Sequence, residues 1–152
     1  MKLLDTIIDS TGEELDVYFS DRLKNTPAMI ELLKANVEVI ENGLTGLPHL
    51  LIRETDRVLW AQSKNKKIKC CVAFRPNLEE GTMTLALSYT EPGSRGKGIR
   101  PLLQPYFDKA SLDEGLDIIV SLIHTNNKSS AAVAVKQGYK PLLTYYFRKI
   151  PK

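Results

Sequence analysis

Cysteine is scarce: the 152 residues include two, Cys70 and Cys71, side by side. Adjacent cysteines without metal-like companions suggest neither a disulfide framework nor a zinc site, so no metal is expected and a reduced, cytoplasmic setting is implied. No apolar run approaches the roughly 20 residues that cross a bilayer, and no membrane association is expected. Asp5 and Asp9 come too early for the apolar core of a secretory segment. Aromatic residues make up 7% of the chain, with one Trp. Internal repeats and low-complexity linkers are missing. What remains is an ordinary composition, 43% hydrophobic and 26% charged, which fits one globular domain over residues 1–152.

Charge is unevenly spread. Residues 1–55 hold 5 Lys/Arg and 10 Asp/Glu, net −5, whereas residues 56–152 hold 16 and 8, net +8. The basic part suits a polyanionic ligand such as a phosphorylated cofactor or a nucleic acid, and the acidic part a cationic one. Both charge excesses are equally consistent with solvated surface.

Residues 2–9 read as a short strand through Leu3, Leu4, Ile7 and Ile8. Thr11-Gly12-Glu13-Glu14 has the form of a capping box, and Leu15, Tyr18, Phe19 and Leu23 keep helical spacing after it. Thr26-Pro27 predicts a second helix whose face is Met29, Ile30, Leu33, Val37 and Ile40, ended by Asn42-Gly43. Residues 44–55 carry no clear pattern. Arg57–Gln62 and Ile68–Arg75 flank a Lys64-Asn65-Lys66-Lys67 turn as a β-hairpin, and Thr82–Thr90 adds a third strand. Ile99, Leu102, Leu103, Tyr106, Phe107 and Ala110 then mark a helix, with Pro105 inside it. Leu116–His124 reads as a strand buried on both faces, Asn126–Gln137 as a helix closed by Gly138, and Tyr139–Ile150 as a last strand. The expected class is α/β (α+β): two early helices, an antiparallel meander, then strand–helix–strand–helix–strand on a mixed sheet.

The segment Ser94-Arg95-Gly96-Lys97-Gly98-Ile99 lies after a strand and opens a helix. Such a junction points free N–H groups and the positive helix end at one place, which favours an anion. It is neither a Walker loop nor a G-x-G-x-x-G fingerprint. A second strand follows, then Asn127 and a helix ending Lys136-Gln137-Gly138-Tyr139.

With both segments in this order, the sequence resembles the GNAT superfamily of acyl-CoA-dependent N-acetyltransferases. That family's pyrophosphate loop is commonly Q/R-x-x-G-x-G/A, and its later helix runs from an Asn to a K-x-G-F/Y ending. The resemblance covers roughly Arg57 to Ile150 and marks residues 56–152 as the cofactor-binding core, with residues 1–55 as a helical acceptor-side region. It implies that the backbone N–H groups of Arg95, Gly96, Lys97, Gly98, Ile99 and Arg100 cradle the pyrophosphate of acetyl-CoA. Ser88, Tyr89 and Thr90 would pair with the pantetheine arm like an added strand, one of their N–H groups polarising the thioester carbonyl. Asn127 would hold the pantetheine or cap the next helix, two equally economical roles.

Two departures stand out. In the register that opens with Arg95, Arg100 stands where the family closes with Gly or Ala; in the other, Gly93 takes the place of the opening Gln/Arg. The helix after Asn127 often carries a tyrosine that protonates the departing thiolate, and Ala134 stands there. His124 is the candidate catalytic residue for acid–base work, Leu122 holding the position where some relatives place a base. Tyr89, Glu91 and Tyr139 are weaker candidates, the last because it holds the family's core aromatic position. Trp60, Tyr145, Tyr146 and Phe147 are expected in the core or along an acceptor groove. Cys70 and Cys71 should point to opposite faces of a strand, at least one buried and inert.

The expected activity is transfer of an acetyl group from acetyl-CoA to a primary amine, cationic when free, by direct attack in a ternary complex. The acceptor could be a polyamine, an aminoglycoside-like compound or a protein amine. The alternative is a binding or structural module on the same fold without catalysis, motivated by Ala134 and the proline in the cofactor helix. A nucleic-acid-binding domain ranks third, for want of interleaved exposed aromatics and recognised motifs. Many relatives are dimers, and the Tyr145-Tyr146-Phe147 cluster could serve a homodimer.

Overall fold

Among the described residues six strands, β1 (Lys2–Ile8), β2 (Glu14–Ser20), β3 (Arg57–Ser63), β4 (Ile68–Asn77), β5 (Thr82–Thr90) and β6 (Ile119–Ser121), form one sheet in sequence order. The structure is a computed structural model and describes residues 1–44, 50–141, 148, 150 and 151. Neighbours from β1 to β5 pair antiparallel, and β5 and β6 run parallel, giving the mixed sheet that the element order predicts. Helix α1 (Ala28–Glu41) covers one face, α2 (Ile99–Asp113) the other, and α3 (Lys128–Lys136) follows β6. On the α2 face Leu15, Val17, Leu59, Val72, Phe74 and Met83 pack with Ile99, Leu103 and Phe107. On the α1 face Val58, Trp60, Cys71 and Ala73 pack with Ala28, Leu32 and Ala35. Trp60 is therefore core, and its indole N–H donates to Gln62 Oε1.

The helix expected after Thr11 is instead strand β2. Leu15 and Val17 are fully buried at alternate positions, and the backbone is drawn into the sheet between β1 and β3. The presumed capping box is a hairpin turn. Asp9 Oδ1 accepts from the N–H and the hydroxyl of Thr11 and from the N–H of Glu13, while Gly12 supplies φ +87°. The described residues before Thr55 thus contribute two strands and one helix.

Helix α1 starts at Ala28, Pro27 flanking it, and ends at Asn42 as expected. Its buried side is rotated from the expected one: Ala28, Leu32, Ala35 and Asn36 face inward, Met29 and Leu33 of the expected face pack half-buried at its border, and Ile30 and Val37 are exposed. Both stripes satisfy a 3.6-residue period, and small alanines let the helix lie close to the sheet. β6 is also shorter than Leu116–His124 and is not covered on both faces. It keeps β5 as a partner for three residues, and Ile118 and Leu122 are exposed. The expected final strand, with Tyr145, Tyr146 and Phe147, falls mostly outside the described residues.

A buried ion pair holds the chain ahead of β3. Asp56, 1% exposed, takes both Nε and Nη2 of Arg75 at 2.6 and 2.8 Å. Its Oδ2 also accepts the Arg53 N–H, and Arg75 Nη2 donates to the Leu51 carbonyl.

Candidate functional site

β5 changes phase halfway along. Its register with β4 shifts between Leu85 and Leu87, so Ala86 is an extra residue, a β-bulge. Strict alternation would put Met83, Leu85, Leu87 and Tyr89 on one face. In the structure Met83 and Leu85 join the α2 side, while Ala86, Leu87 and Tyr89 join the α1 side. Pairing with β6 stops at the same place, the last pair being Leu85 and Ser121. A bulge bends its strand, so Ser88, Tyr89 and Thr90 continue along β4, opposite Val72, Cys71 and Cys70, with no partner from β6. Past Leu85 the side of β5 toward β6 has no strand partner among the described residues, and this stretch, called the wedge, leaves a β5 edge that can pair with an extended ligand.

The anion loop stands at the mouth of that wedge. A turn of 3-10 helix, Pro92–Ser94, leads into Gly96 and Gly98, at φ +77° and +74°. Both lie in the left-handed region that favours glycine. Gly98 is the N-cap of α2 and uses no side chain for capping. The N–H groups of Gly96, Lys97 and Gly98 have no acceptor among the described residues. The Lys97 carbonyl accepts from the Ser10 N–H, which ties the loop to the β1–β2 turn. Arg95 folds its Nε onto the Thr90 carbonyl, and Ile99 is buried as the first core contact of α2.

Glu91 fixes the loop from beneath. Its carboxylate lies 2.5 Å from Lys67 Nζ and 3.5 Å from Lys69 Nζ, and accepts the Ser94 hydroxyl at 2.7 Å, Ser94 itself being buried. The Lys67 ammonium first, then the Ser94 hydroxyl, hold the Glu91 carboxyl down from 4.5 to about 2. A carboxyl depressed in the folded state stabilises above its unfolded value and loses that contribution as pH falls toward its folded one. The stability gap between wild type and Glu91→Gln is therefore expected to be constant above about pH 5 and to close between pH 4.5 and 2, as read by chemical denaturation across that range.

Arg100 departs from a plain turn site. Its side chain reaches inward from the first turn of α2 and donates to Gln104 Oε1 at 3.0 Å. Burial pulls its pKa down, and the groups around it are Cys70, Tyr139 and Asp108. Among the described residues no carboxylate lies within ion-pair distance of it, Asp108 accepting from Gln104 Nε2. A half-buried guanidinium with no carboxylate in ion-pair contact favours an anion beside it. Free N–H groups, an uncompensated guanidinium and an open strand edge together fit a phosphate-bearing, extended ligand.

Asn127 is the N-cap of α3, its Oδ1 accepting the Ser130 N–H at 3.3 Å, and its carboxamide N–H groups have no acceptor among the described residues. His124 is half-buried, in the turn after β6. Three residues beyond the last β5–β6 pair on each strand, it and Ser88 flank the gap by register. Its Nδ1 accepts the Asn126 N–H at 3.1 Å, which assigns the proton of the neutral ring to Nε2. Tyr89 projects toward α1, and burial, then Glu31, push its pKa up. Cys70 and Cys71 lie on opposite faces, both buried and unpaired, with pKa values raised by burial. Glycine spacing and the residue types of the loop were visible in the sequence. The Ala86 bulge and the Glu91 clamp had no local signal, since both exist only against β4 and the β3–β4 turn.

Solved structures of acetyltransferases share this fold, an antiparallel meander followed by a parallel strand and helices, at low sequence identity. One is a ribosomal-protein-alanine N-acetyltransferase from Brucella melitensis, with TM-score 0.65 and 15% identity over 90% of this chain and 99% of that one. A GNAT-family acetyltransferase from Listeria monocytogenes gives TM-score 0.62 and 15% identity over 93% and 94%. An aminoglycoside N-acetyltransferase in complex with CoA gives 0.60 and 14% over 90% and 100%. No family model and no curated protein matches the sequence. Among the described residues no helix is long and apolar enough to cross a membrane, and no His/Cys/Asp/Glu group could hold a metal ion.

Proposed function

We propose that the chain is a single-domain, cytoplasmic N-acetyltransferase that moves an acetyl group from acetyl-CoA to a primary amine of a small molecule or protein. The observation that carries this reading is the wedge opened at Ala86, with the unpaired N–H groups of the Gly96–Gly98 loop at its mouth. The backbone from Arg95 to Arg100 would hold the pyrophosphate. The edge of Ser88, Tyr89 and Thr90 would pair with the pantetheine arm, and Asn127 would steady it from the start of α3. The acceptor amine attacks the thioester carbonyl directly, its oxyanion taking a backbone N–H of β5. His124 is the acid–base candidate for the amine side. It accepts a proton at Nδ1 once the Asn126 N–H is released. Glu31 and Glu38, which face Tyr89 from α1, favour an acceptor that is cationic when free.

The test is a thermal shift with acetyl-CoA, on wild type and on Gly98→Asp. Ligand at 100 times its dissociation constant adds about 2.7 kcal/mol, a plain rise in melting temperature. The rise is expected in wild type and absent in Gly98→Asp, where a carboxylate would occupy the anion site. Open space surrounds the Cβ of that variant, but φ +74° strains any side chain there, so a urea melt without ligand is run beside it to separate lost binding from lost stability. A wild-type chain that shows no rise would sink the acyltransferase reading. Binding without turnover over a broad amine panel would leave a binding module instead.

A further inference from the structure

The backbone N–H groups of residues 9–13, the β1–β2 turn, are spent in an uneven way. Asp9 donates to the Glu13 carbonyl, Gly12 to the Asp9 carbonyl at 3.1 Å, and Thr11 and Glu13 to Asp9 Oδ1. Ser10 alone donates outside the turn, to the Lys97 carbonyl at 3.1 Å. The turn is built to act as a support. Asp9, 6% exposed, is its hub and also accepts the Thr11 hydroxyl at 2.6 Å. That hydroxyl first, then the backbone N–H groups, with the Lys97 ammonium adding to them, hold the Asp9 carboxyl below the usual carboxylate range. Glu13 reaches Lys69 Nζ at 3.9 Å, and Lys69 in turn reaches Glu91 at 3.5 Å. The glycine loop is thus held at its start by Glu91 and at its end by Ser10.

A peptide unit is planar, and in its trans form the C=O and the N–H point in opposite directions. No cis peptide bond occurs among the described residues. Fixing the Lys97 carbonyl on Ser10 therefore turns the Gly98 N–H away from the β1–β2 turn, where it has no acceptor among the described residues. Gly98, at φ +74°, passes between left- and right-handed backbone at little cost. Without Ser10 this peptide is free to flip and present a carbonyl where the N–H now stands. The helix end cannot make up the loss. Pro101, third in α2, has no N–H, so Gly98, Ile99 and Arg100 are the donors that this end offers.

We propose that Ser10 is a positioning residue for the pyrophosphate of CoA, its backbone N–H holding the peptide that joins Lys97 to Gly98 so that the Gly98 N–H is aimed at the anion. This rests on the acyltransferase reading and gives that site a residue from the opposite end of the chain. Ser10 acts through the peptide and touches no ligand.

Ser10→Pro removes that N–H and little else. Ser10 and Thr11 have negative φ and Gly12 has +87°, the type I turn with a left-handed glycine after it, and Ser10 holds the place that proline favours. Calorimetric titration with CoA is expected to show about tenfold weaker binding in Ser10→Pro, the worth of one hydrogen bond. A urea melt without ligand should stay close to wild type. Ser10→Ala keeps the N–H and should restore wild-type affinity. A second readout needs no variant: hydrogen exchange at the Ser10 amide of the wild-type chain, with and without saturating CoA. Linkage is reciprocal, so a bond that tightens CoA about tenfold is tightened by CoA to the same extent, and the amide should exchange about tenfold more slowly in the complex. Equal affinity in Ser10→Pro and wild type, a Ser10→Ala chain as weak as Ser10→Pro, or a Ser10 amide indifferent to CoA overturns the proposal and leaves the acyltransferase reading standing. A wild-type chain that binds neither CoA nor its thioester removes both.

Discussion

Replacing Asp56 with alanine is expected to destabilise the protein by about 3–5 kcal/mol, a fall of roughly 10 °C in melting temperature for a chain of this size. The carboxylate is 1% exposed and accepts three hydrogen bonds, two from Arg75 and one from the Arg53 backbone. Truncating it leaves the Arg75 guanidinium half-buried beside an empty space, with the Leu51 carbonyl as its remaining partner. A cavity term adds to the unpaired charge. The pair also fastens residues 50–56 against β4, and this stretch brings Ile52 into the core over α1. Asp56→Asn separates the contributions. It keeps the volume and one acceptor oxygen, and should recover about 1–2 kcal/mol of the loss. Urea melts of the three chains measure both steps, and an alanine variant within 1 kcal/mol of wild type would mean that the clamp carries no stability.

Deleting Ala86 is expected to weaken acetyl-CoA binding by at least about 100-fold while changing stability by less than about 2 kcal/mol. The bulge inserts one residue, so its removal restores strict alternation and still leaves Leu87 and Tyr89 on the α1 face and Thr90 on the α2 face. Leu85 would then stand in register with Phe74 with no shift before Ala73 and Leu87. A regular β5 has no cause to bend from β6 and can extend its parallel pairing past Leu85. The N–H groups of residues 88–90 would then be spent on the sheet instead of a ligand. Thermal shift with acetyl-CoA, set beside a urea melt without it, reads the two effects separately. A deletion variant that binds acetyl-CoA as wild type does would show that the wedge does not depend on the bulge.

Much of the site was legible in the sequence because its determinants are local. The strand over Thr82–Thr90, the glycine turn and the helix from Ile99 follow from residue type and spacing, since φ values of +77° and +74° at Gly96 and Gly98 need no distant partner. The same holds for the β3–β4 hairpin, for Asn127 as a cap, and for Gly138 closing α3. Where two local readings were equally consistent, sequence misled. Thr11-Gly12-Glu13-Glu14 has the form of a helix start, but Asp9 accepts the turn's donors first and β1 and β3 draw the next residues into the sheet. The apolar stripe of Ile30 and Val37 has the right period for a core face, but the sheet selected the smaller stripe of Ala28 and Ala35.

By itself, then, the sequence determined the mixed α/β class, most of the element order, and a strand–loop–helix junction turned by glycines. Only the tertiary structure decided that β5 breaks phase at Ala86, that Glu91 pins the loop to Lys67 and Lys69, and that Arg100 donates to Gln104 one turn on along α2. Each of these joins residues distant in the chain or depends on what surrounds a side chain. A bulge is defined against a neighbouring strand, and a buried charge against what surrounds it. Periodicity along one segment records neither.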